Sequence, residues 1–543
     1  MTASIPTRPE GFTLIDALLE EQRDLTAVER FARWHDTPGT NRRPSHRQLV
    51  PLTAPRPGEQ YAFEVDLDRC SGCKACVAAC HSLNGLDENE TWRSVGLLHG
   101  RGRNSFQQTI TTACHHCVDP ACLTGCPVLA YDKDPATGIV RHLDDQCIGC
   151  QYCVLMCPYE VPQFSERRGI VRKCDMCHQR LAHGEAPACV QACPNEAIRI
   201  TVVEQVALRA EYRSERSRSE AGAGSFLPCA PDPATTVPTT RFISARPLPQ
   251  GLIAGDSNEP RLQPTHLPLV WMLVLTQLGA GSFLFLPPTP AAARVPLALF
   301  AWSATLLGLG GSVLHLGRPL KAWRAFLGVR SSWLSREIVA FGLFSKLALA
   351  TTALLCLKIA PGLVPILMAA TAVAGLAGVL CSGMTYHATR RDCWMGELSV
   401  GRFYLTTLAL GAAVAWWATA WTGTGHAACA LVLALATVIK LSRELAWLRL
   451  CPDDADLEDE LPNGWRARGA FLMRYRLGWI LRWRIACAWV GGVSLPLLSL
   501  IPGTAPKALA IFGLLVCIAG ELAERLLFFR AVVTPKMPGG VYS

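Results

Sequence analysis

The chain has 543 residues, half of them hydrophobic and only 17% charged, against roughly 25% charged in an ordinary soluble domain. That length and composition exclude a single soluble globule, a disordered chain and a disulfide-stapled mini-protein. A net charge of +9 would suggest nucleic acid only if the excess sat on a soluble domain. It lies instead around the apolar runs of residues 261–543, so no nucleic-acid partner is expected.

Residues 1–60 read as an N-terminal extension. Thr13 to Leu19, then Val28, Phe31, Ala32 and Trp34, repeat apolar residues near helical spacing, which predicts one or two short amphipathic helices. They would pack on the next domain or dock a partner subunit. No apolar core lies between Met1 and Tyr61, so no signal peptide is expected. Arg42-Arg43 is followed by Pro, His and Gln and does not read as an export signal.

Residues 61–200 carry four groups of four cysteines. They are Cys70, Cys73, Cys76, Cys80; Cys114, Cys117, Cys122, Cys126; Cys147, Cys150, Cys153, Cys157; and Cys174, Cys177, Cys189, Cys193. The first and third have the C-x2-C-x2-C-x3-C spacing of bacterial ferredoxins. The last three groups each close on a proline. Three closely spaced thiolates wrap one iron–sulfur cube through a tight loop, and the fourth points to the neighbouring cube. The sixteen cysteines therefore predict four 4Fe–4S clusters in two ferredoxin-like pairs. Zinc ribbons need no third and fourth cysteine at this spacing. Disulfides fit poorly with C-x2-C loops in a chain lacking a signal peptide.

Residues 201–265 include stretches rich in Ser, Gly, Ala and Pro and read as a linker or extended arm. Residues 266–543 read as a membrane domain. Eight spans are predicted near 267–286, 295–315, 338–357, 363–383, 403–421, 427–447, 485–503 and 506–528, each close to the roughly 20 apolar residues a crossing helix needs. The sixth is the weakest, since Lys440 and Arg443 lie inside its end and would have to snorkel. The connections on the side of the cysteine domain hold 20 Lys and Arg, the opposite side 3. That bias predicts a multi-pass protein of the bacterial inner membrane with the cysteine domain in the cytoplasm. The expected fold is thus an α+β, duplicated bacterial-ferredoxin-like domain with four clusters, followed by an all-α polytopic membrane domain of about eight transmembrane helices.

From Tyr61-Ala-Phe-Glu-Val-Asp-Leu-Asp-Arg-Cys70 to Cys193-Pro-Asn-Glu-Ala-Ile198, the chain resembles the four-cluster electron-transfer subunit of the dimethyl sulfoxide reductase family of molybdopterin enzymes. The segments Ser312 to Pro319 and Ser332 to Ile338, with Trp483-Arg484 and Gly520-Glu521 through Arg525, resemble that family's membrane anchor subunit. One chain would fuse the two. The resemblance, not the spacing, implies the nested pairing: Cys70, Cys73, Cys76 with Cys193; Cys174, Cys177, Cys189 with Cys80; Cys114, Cys117, Cys122 with Cys157; Cys147, Cys150, Cys153 with Cys126. In place of the usual proline, His81 follows Cys80. The resemblance also implies quinol oxidation in the anchor, a molybdopterin-containing catalytic partner subunit, and no haem. His266, His315, His387 and His426 all fall near predicted span ends, so no pair is set mid-membrane as axial ligands.

A quinol losing two electrons must also lose two protons, so its site needs a proton acceptor at membrane depth beside an electron acceptor. His315 and Glu337 lie at ends of consecutive spans on the cysteine-bearing side and are the candidate catalytic residues for menaquinol or ubiquinol. The plainer alternative has Glu337 pairing with Arg336 or Arg318. Lys346 and Glu521, both within spans, would form a structural ion pair or a proton path. Ligand spacing does not set the direction of flow, so a dehydrogenase feeding electrons into quinone also fits. A non-redox membrane scaffold with a zinc module is the third alternative. The terminal acceptor expected is dimethyl sulfoxide, nitrate or a similar compound.

Overall fold

The computed structural model describes residues 13, 15–16, 48–100, 106–219, 226–257, 261–450 and 465–540. Apart from Thr13, Ile15 and Asp16, the expected amphipathic helices before residue 48 lie outside these residues.

The first part is built from short elements around the cysteine loops. Its strands are β1 (Glu59–Asp66), β2 (Ser94–His99), β3 (Gln107–Thr112), β4 (Tyr131–Lys133), β5 (Val140–His142), β6 (Gln163–Ser165), β7 (Ile170–Arg172), β8 (Ile198–Glu204), β9 (Arg241–Ile243) and β10 (Ile253–Ala254). The helices are α1 (Ala75–Asn84), α2 (Ala121–Gly125), α3 (Tyr152–Met156), α4 (His178–Ala182), α5 (Ala188–Gln191) and α6 (Gln205–Ser219). Strand β1 lies centrally in the order β8-β1-β9, antiparallel to β8 with Phe63 opposite Ile200, and parallel to β9. A second sheet runs β10-β2-β3, and β4-β5 and β6-β7 form two small hairpins. Residues 201–265, expected as a linker or extended arm, contribute elements to this part. Where described, the segment supplies α6 and the edge strands β9 and β10, because the polar stretch is punctuated by apolar residues such as Leu208, Tyr212, Phe226 and Leu227 that are buried in the domain.

The second part is helical: α7 (Leu267–Phe285), α8 (Ala291–Val313), α9 (Trp333–Leu357), α10 (Val364–His387), α11 (Val400–Thr422), α12 (Ala427–Leu448), α13 (Trp465–Phe471), α14 (Gly478–Cys487), α15 (Leu495–Leu498) and α16 (Pro506–Arg530). Among the described residues five of these, α7 to α11, are long and apolar enough to cross a membrane. The other three expected spans are α12, the broken run from α14 to α15 and α16. The run from α14 to α15 is interrupted by a π-helical stretch at Ala488–Ser494. Helices α12 and α16 carry Lys440, Glu444, Glu521, Glu524 and Arg525, all of them buried.

Those charges meet one another. Lys440 pairs with Glu521, Arg484 with Glu444 at 3.1 Å and with Glu521 at 3.2 Å, Arg402 with Glu524 at 3.2 Å, and Arg525 with Glu524 at 2.6 Å. Thr406 and Gln277 complete the network by hydrogen bonds to Arg525 at 3.0 and 2.8 Å. Two expectations change. Lys440 does not snorkel; it is 2% exposed and turned inward. Lys346 is exposed on α9 and does not pair with Glu521. An ionised group in hydrocarbon is tolerated when it is paired and hydrogen-bonded, and α11, α12, α14 and α16 supply that pairing. Four of the 20 basic residues counted for orientation, Arg402, Lys440, Arg484 and Arg525, belong to this network, which leaves 16 against 3.

Several contacts tie the parts together, among them those of the α8–α9 connection and of the chain after α16. Between α8 and α9, the backbone N–H of Arg318 donates to Ile148 at 3.0 Å, Gly328 to Pro127 at 2.8 Å, and Ser332 Oγ to Gly125 at 2.7 Å. After α16 the chain returns to the first part, where Leu97 N–H donates to Gly539 at 3.2 Å and Gly539 N–H to Asp256 Oδ1 at 3.1 Å. Gly96 is required there: a Cβ on it would lie 1.8 Å from the Pro538 carbonyl oxygen.

Candidate functional site

The cysteine loops repeat one local geometry. Gly72 and Lys74 flank Cys73, Gly149 and Gln151 flank Cys150, and all four flanking residues have positive φ. Left-handed turns of this kind aim backbone N–H groups at the enclosed thiols. Gly149 N–H lies 3.4 Å from Cys147 Sγ, Met176 N–H 3.4 Å from Cys174 Sγ, Ala130 N–H 3.2 Å from Cys126 Sγ, and Ala197 N–H 3.2 Å from Cys193 Sγ.

The fold brings near one another the thiols of each of the four sets that the resemblance implies. Cys70, Cys73, Cys76 and Cys193 line one small cavity, and Cys114, Cys117, Cys122 and Cys157 line another. Cys80 lies within electrostatic reach of Cys177 and Cys189, and Cys174 within reach of Cys80 and Cys189. Cys150 and Cys153 lie within the same reach of Cys126 and Cys147, while Cys174 also reaches Cys114 and Cys189 also reaches Cys76. Among the described residues no three His, Cys, Asp or Glu converge on a single metal ion. Thiols gathered around shared small cavities could hold an object several atoms across.

Burial pushes most of these thiols up, Cys80 to about 12 and Cys177 to about 11. A metal ligand must be the thiolate, so loading the sets displaces protons. Cys147 is the exception. Burial acts to raise it, but His142 beside it holds it below the ordinary thiol value. Two buried cations lie between sets. Lys173 Nζ is 3.6 Å from Cys114 Sγ and 2.9 Å from the carbonyl of Cys174, which belongs to a different set. Arg93 lies near Cys76 of one set and Cys80, Cys174 and Cys189 of another. Sequence reading passed over both. Lys173 directly precedes a ligand cysteine, whereas Arg93 stands in no motif.

The set Cys126, Cys147, Cys150 and Cys153 lies against the membrane part. Below it is a cavity of about 320 Å³, lined by Cys150, Tyr152, His315, Glu337, Thr385 and Tyr386 and by apolar residues including Leu269, Met272, Ile338 and Phe341. Glu337 enters from the first turns of α9 and is 4% exposed. Thr385 Oγ1 donates to its Oε2 at 3.2 Å. Its Oε1, and Nδ1 of His315, are buried with no hydrogen-bond partner among the described residues. The plainer expectation for Glu337 does not hold. Arg336 donates to the carbonyls of Val329 and Arg330 at 3.0 and 2.7 Å, and Arg318 to that of Asp144 at 2.7 Å, so neither serves as its counter-ion. Of the residues lining this cavity, sequence reading had named His315 and Glu337 but not Tyr152, Thr385 or Tyr386. Tyr152 stands between two ligand cysteines, which was the available signal.

Comparison with known proteins gives matches for both parts. Residues 106–203 match the family described as 4Fe-4S dicluster domain, and residues 264–530 the family described as DMSO reductase anchor subunit. The chain is 32% identical over 213 residues to the B subunit of the anaerobic dimethyl sulfoxide reductase of Haemophilus influenzae, covering 37% of this chain and 95% of that subunit. It is 36% identical over 159 residues to the probable anaerobic dimethyl sulfoxide reductase subunit YnfG of Escherichia coli K12, covering 27% and 76%. It is 37% identical over 175 residues to the hydrogenase-2 operon protein HybA of Escherichia coli O157:H7, covering 27% and 53%.

Proposed function

The chain belongs to the dimethyl sulfoxide reductase family, joining its iron–sulfur electron-transfer part and its membrane anchor in one polypeptide, and on that premise we propose that it oxidises membrane quinol and delivers the electrons to a molybdopterin-containing catalytic subunit. The observation that carries this reading is the cavity that places His315 and Glu337 beside Cys150.

A quinol becomes a quinone by giving up two electrons and two protons. The cavity's apolar walls suit the quinone ring, and the two unpartnered atoms, Glu337 Oε1 and His315 Nδ1, are the proton acceptors. Four sets of thiolates would hold four 4Fe–4S clusters, which when bound supply one-electron carriers. The sets follow one another outward. Cys126, Cys147, Cys150 and Cys153 border the cavity. Cys114, Cys117, Cys122 and Cys157 come next, because Cys122 and Cys126 share α2 and its cap, and Cys153 and Cys157 share α3 and its cap. Cys80, Cys174, Cys177 and Cys189 follow across Lys173. Cys70, Cys73, Cys76 and Cys193 are last, with Cys73 exposed at the surface. That end is where the catalytic partner docks. With the basic residues favouring the same side, the iron–sulfur part lies in the cytoplasm of a bacterial cell, and a cytoplasmic acceptor is reduced there.

The test uses the full chain in anaerobic membranes. On this reading it carries about sixteen iron atoms, and a reduced quinol analogue bleaches the iron–sulfur absorption without dithionite. Zinc in place of iron, or bleaching by dithionite alone, sinks the proposal. Cluster potentials below that of the quinone pool would instead reverse the flow. Cleavage of residues 1–200 by protease from outside right-side-out vesicles would overturn the orientation.

A further inference from the structure

We propose that Arg93 is a potential-setting cation, held between the two outermost thiol sets and raising the reduction potential of the clusters on both sides of it. The inference rests on the four-cluster reading above.

Arg93 stands immediately before β2 and is 2% exposed. Its guanidinium lies 4.7 Å over the Phe63 ring. Nη1 donates to Thr111 Oγ1 at 3.2 Å, and Thr111 Oγ1 is itself 3.5 Å from Cys76 Sγ. Nε and Nη2 are buried and have no hydrogen-bond partner among the described residues. Among the same residues no carboxylate pairs with it. Arg172 nearby is different, since Glu90 neutralises it at 2.8 Å.

A buried guanidinium with two idle donors and no counter-ion is strongly unfavourable in a protein interior. The groups near it are the thiols of Cys189, Cys76, Cys174 and Cys80, which become thiolates when they hold a cluster. They come from two different sets, so the cation is shared by both. Reducing a cluster adds one negative charge to the group its cysteines hold. A fixed positive charge beside it, with N–H donors free for sulfur, favours the reduced form, since cluster potential follows net charge and hydrogen bonds to sulfur. Stacking on Phe63 is the plainer role. That role needs the shape of the side chain and not its charge.

The experiment compares the purified full chain with its Arg93→Lys and Arg93→Gln variants, under anaerobic potentiometric titration followed by electron paramagnetic resonance, with iron content measured on each. Arg93→Gln is expected to shift the reduction equilibrium of the two outer clusters downward by on the order of tenfold or more, about 59 mV for a one-electron step. The two membrane-side clusters should keep their potentials. Arg93→Lys, which retains the charge, should stay near the native values. Native potentials in iron-replete Arg93→Gln overturn the inference, as does a Lys variant that falls as far as the Gln variant. If Arg93→Gln fails to hold iron, Arg93→Lys decides alone: native potentials support the inference and lowered ones overturn it. The iron content and signal count of the unmodified chain test the four-cluster reading separately, before any variant is compared.

Discussion

The phenolic hydroxyl of Tyr152 donates a 2.8 Å hydrogen bond to the backbone carbonyl of Thr385. It crosses the boundary between the parts: Tyr152 lies between Cys150 and Cys153, and Thr385 holds Glu337 by its own hydroxyl. One residue thus joins the thiol loop nearest the membrane to the acid in the cavity. Tyr152→Phe removes the bond and leaves a buried carbonyl short of a partner, at a cost of about 1–3 kcal/mol. The expected result is slower quinol-driven bleaching with dithionite-driven bleaching intact. Equal loss of both would mean that the tyrosine only supports the cluster loop.

Glu337→Gln keeps the shape of the side chain and its contact with Thr385 but cannot take a proton. General-base assistance contributes about 10²–10⁴-fold, so quinol oxidation should fall within that range. Iron content and dithionite reduction should be unchanged. A variant that oxidises quinol at the native rate would remove Glu337 from the mechanism and leave His315 as the acceptor to examine.

Lys440 is one of two basic partners of Glu521. Lys440→Met leaves Glu521 with Arg484 as its one basic partner and removes the Lys440 hydrogen bond to Thr406. Breaking a buried pair from one side costs about 3–5 kcal/mol, against under about 1 kcal/mol for an exposed pair. Thermal unfolding in detergent should show a marked drop. Adding Glu521→Leu should recover part of it, since the second substitution removes the uncompensated charge. An unchanged midpoint would mean that the network is open to water in the membrane.

Gly317 packs against the β6–β7 turn so closely that a Cβ on it would meet the Gly169 carbonyl oxygen at 2.1 Å. Gly317→Ala must therefore push the α8–α9 connection away from Gly149 and Gly169, at about 1–3 kcal/mol for an overpacked contact. Quinol-driven reduction should weaken while iron content stays native. Transfer at the full rate would show that this contact positions neither Cys150 nor the cavity.

Cysteine spacing alone announced the iron–sulfur domain, because ligand geometry constrains sequence separation within a loop. The pairing across loops was not in the spacing. Cys193 joins Cys70 only because β8 returns antiparallel to β1, which brings the end of one motif beside the start of another. Long apolar runs announced the membrane half, since a bilayer sets helix length. The pairing of the charges on α12 and α16 was not legible, because hydropathy counts a charge without its partner and Lys440 and Glu521 are 81 residues apart in sequence.

The same division holds at the functional site. His315 and Glu337 were legible as polar groups at the ends of consecutive spans. Their convergence with Tyr152 and Thr385 was not, since those four residues come from three helices and one connection that meet only in the folded chain. Arg93 was invisible for the same reason: its meaning lies in two thiol sets and an absent carboxylate, none of them its sequence neighbours. Local chemistry is written along the chain. Charge compensation and cavity shape are decided by tertiary packing, because both depend on which distant groups exclude water from the same place.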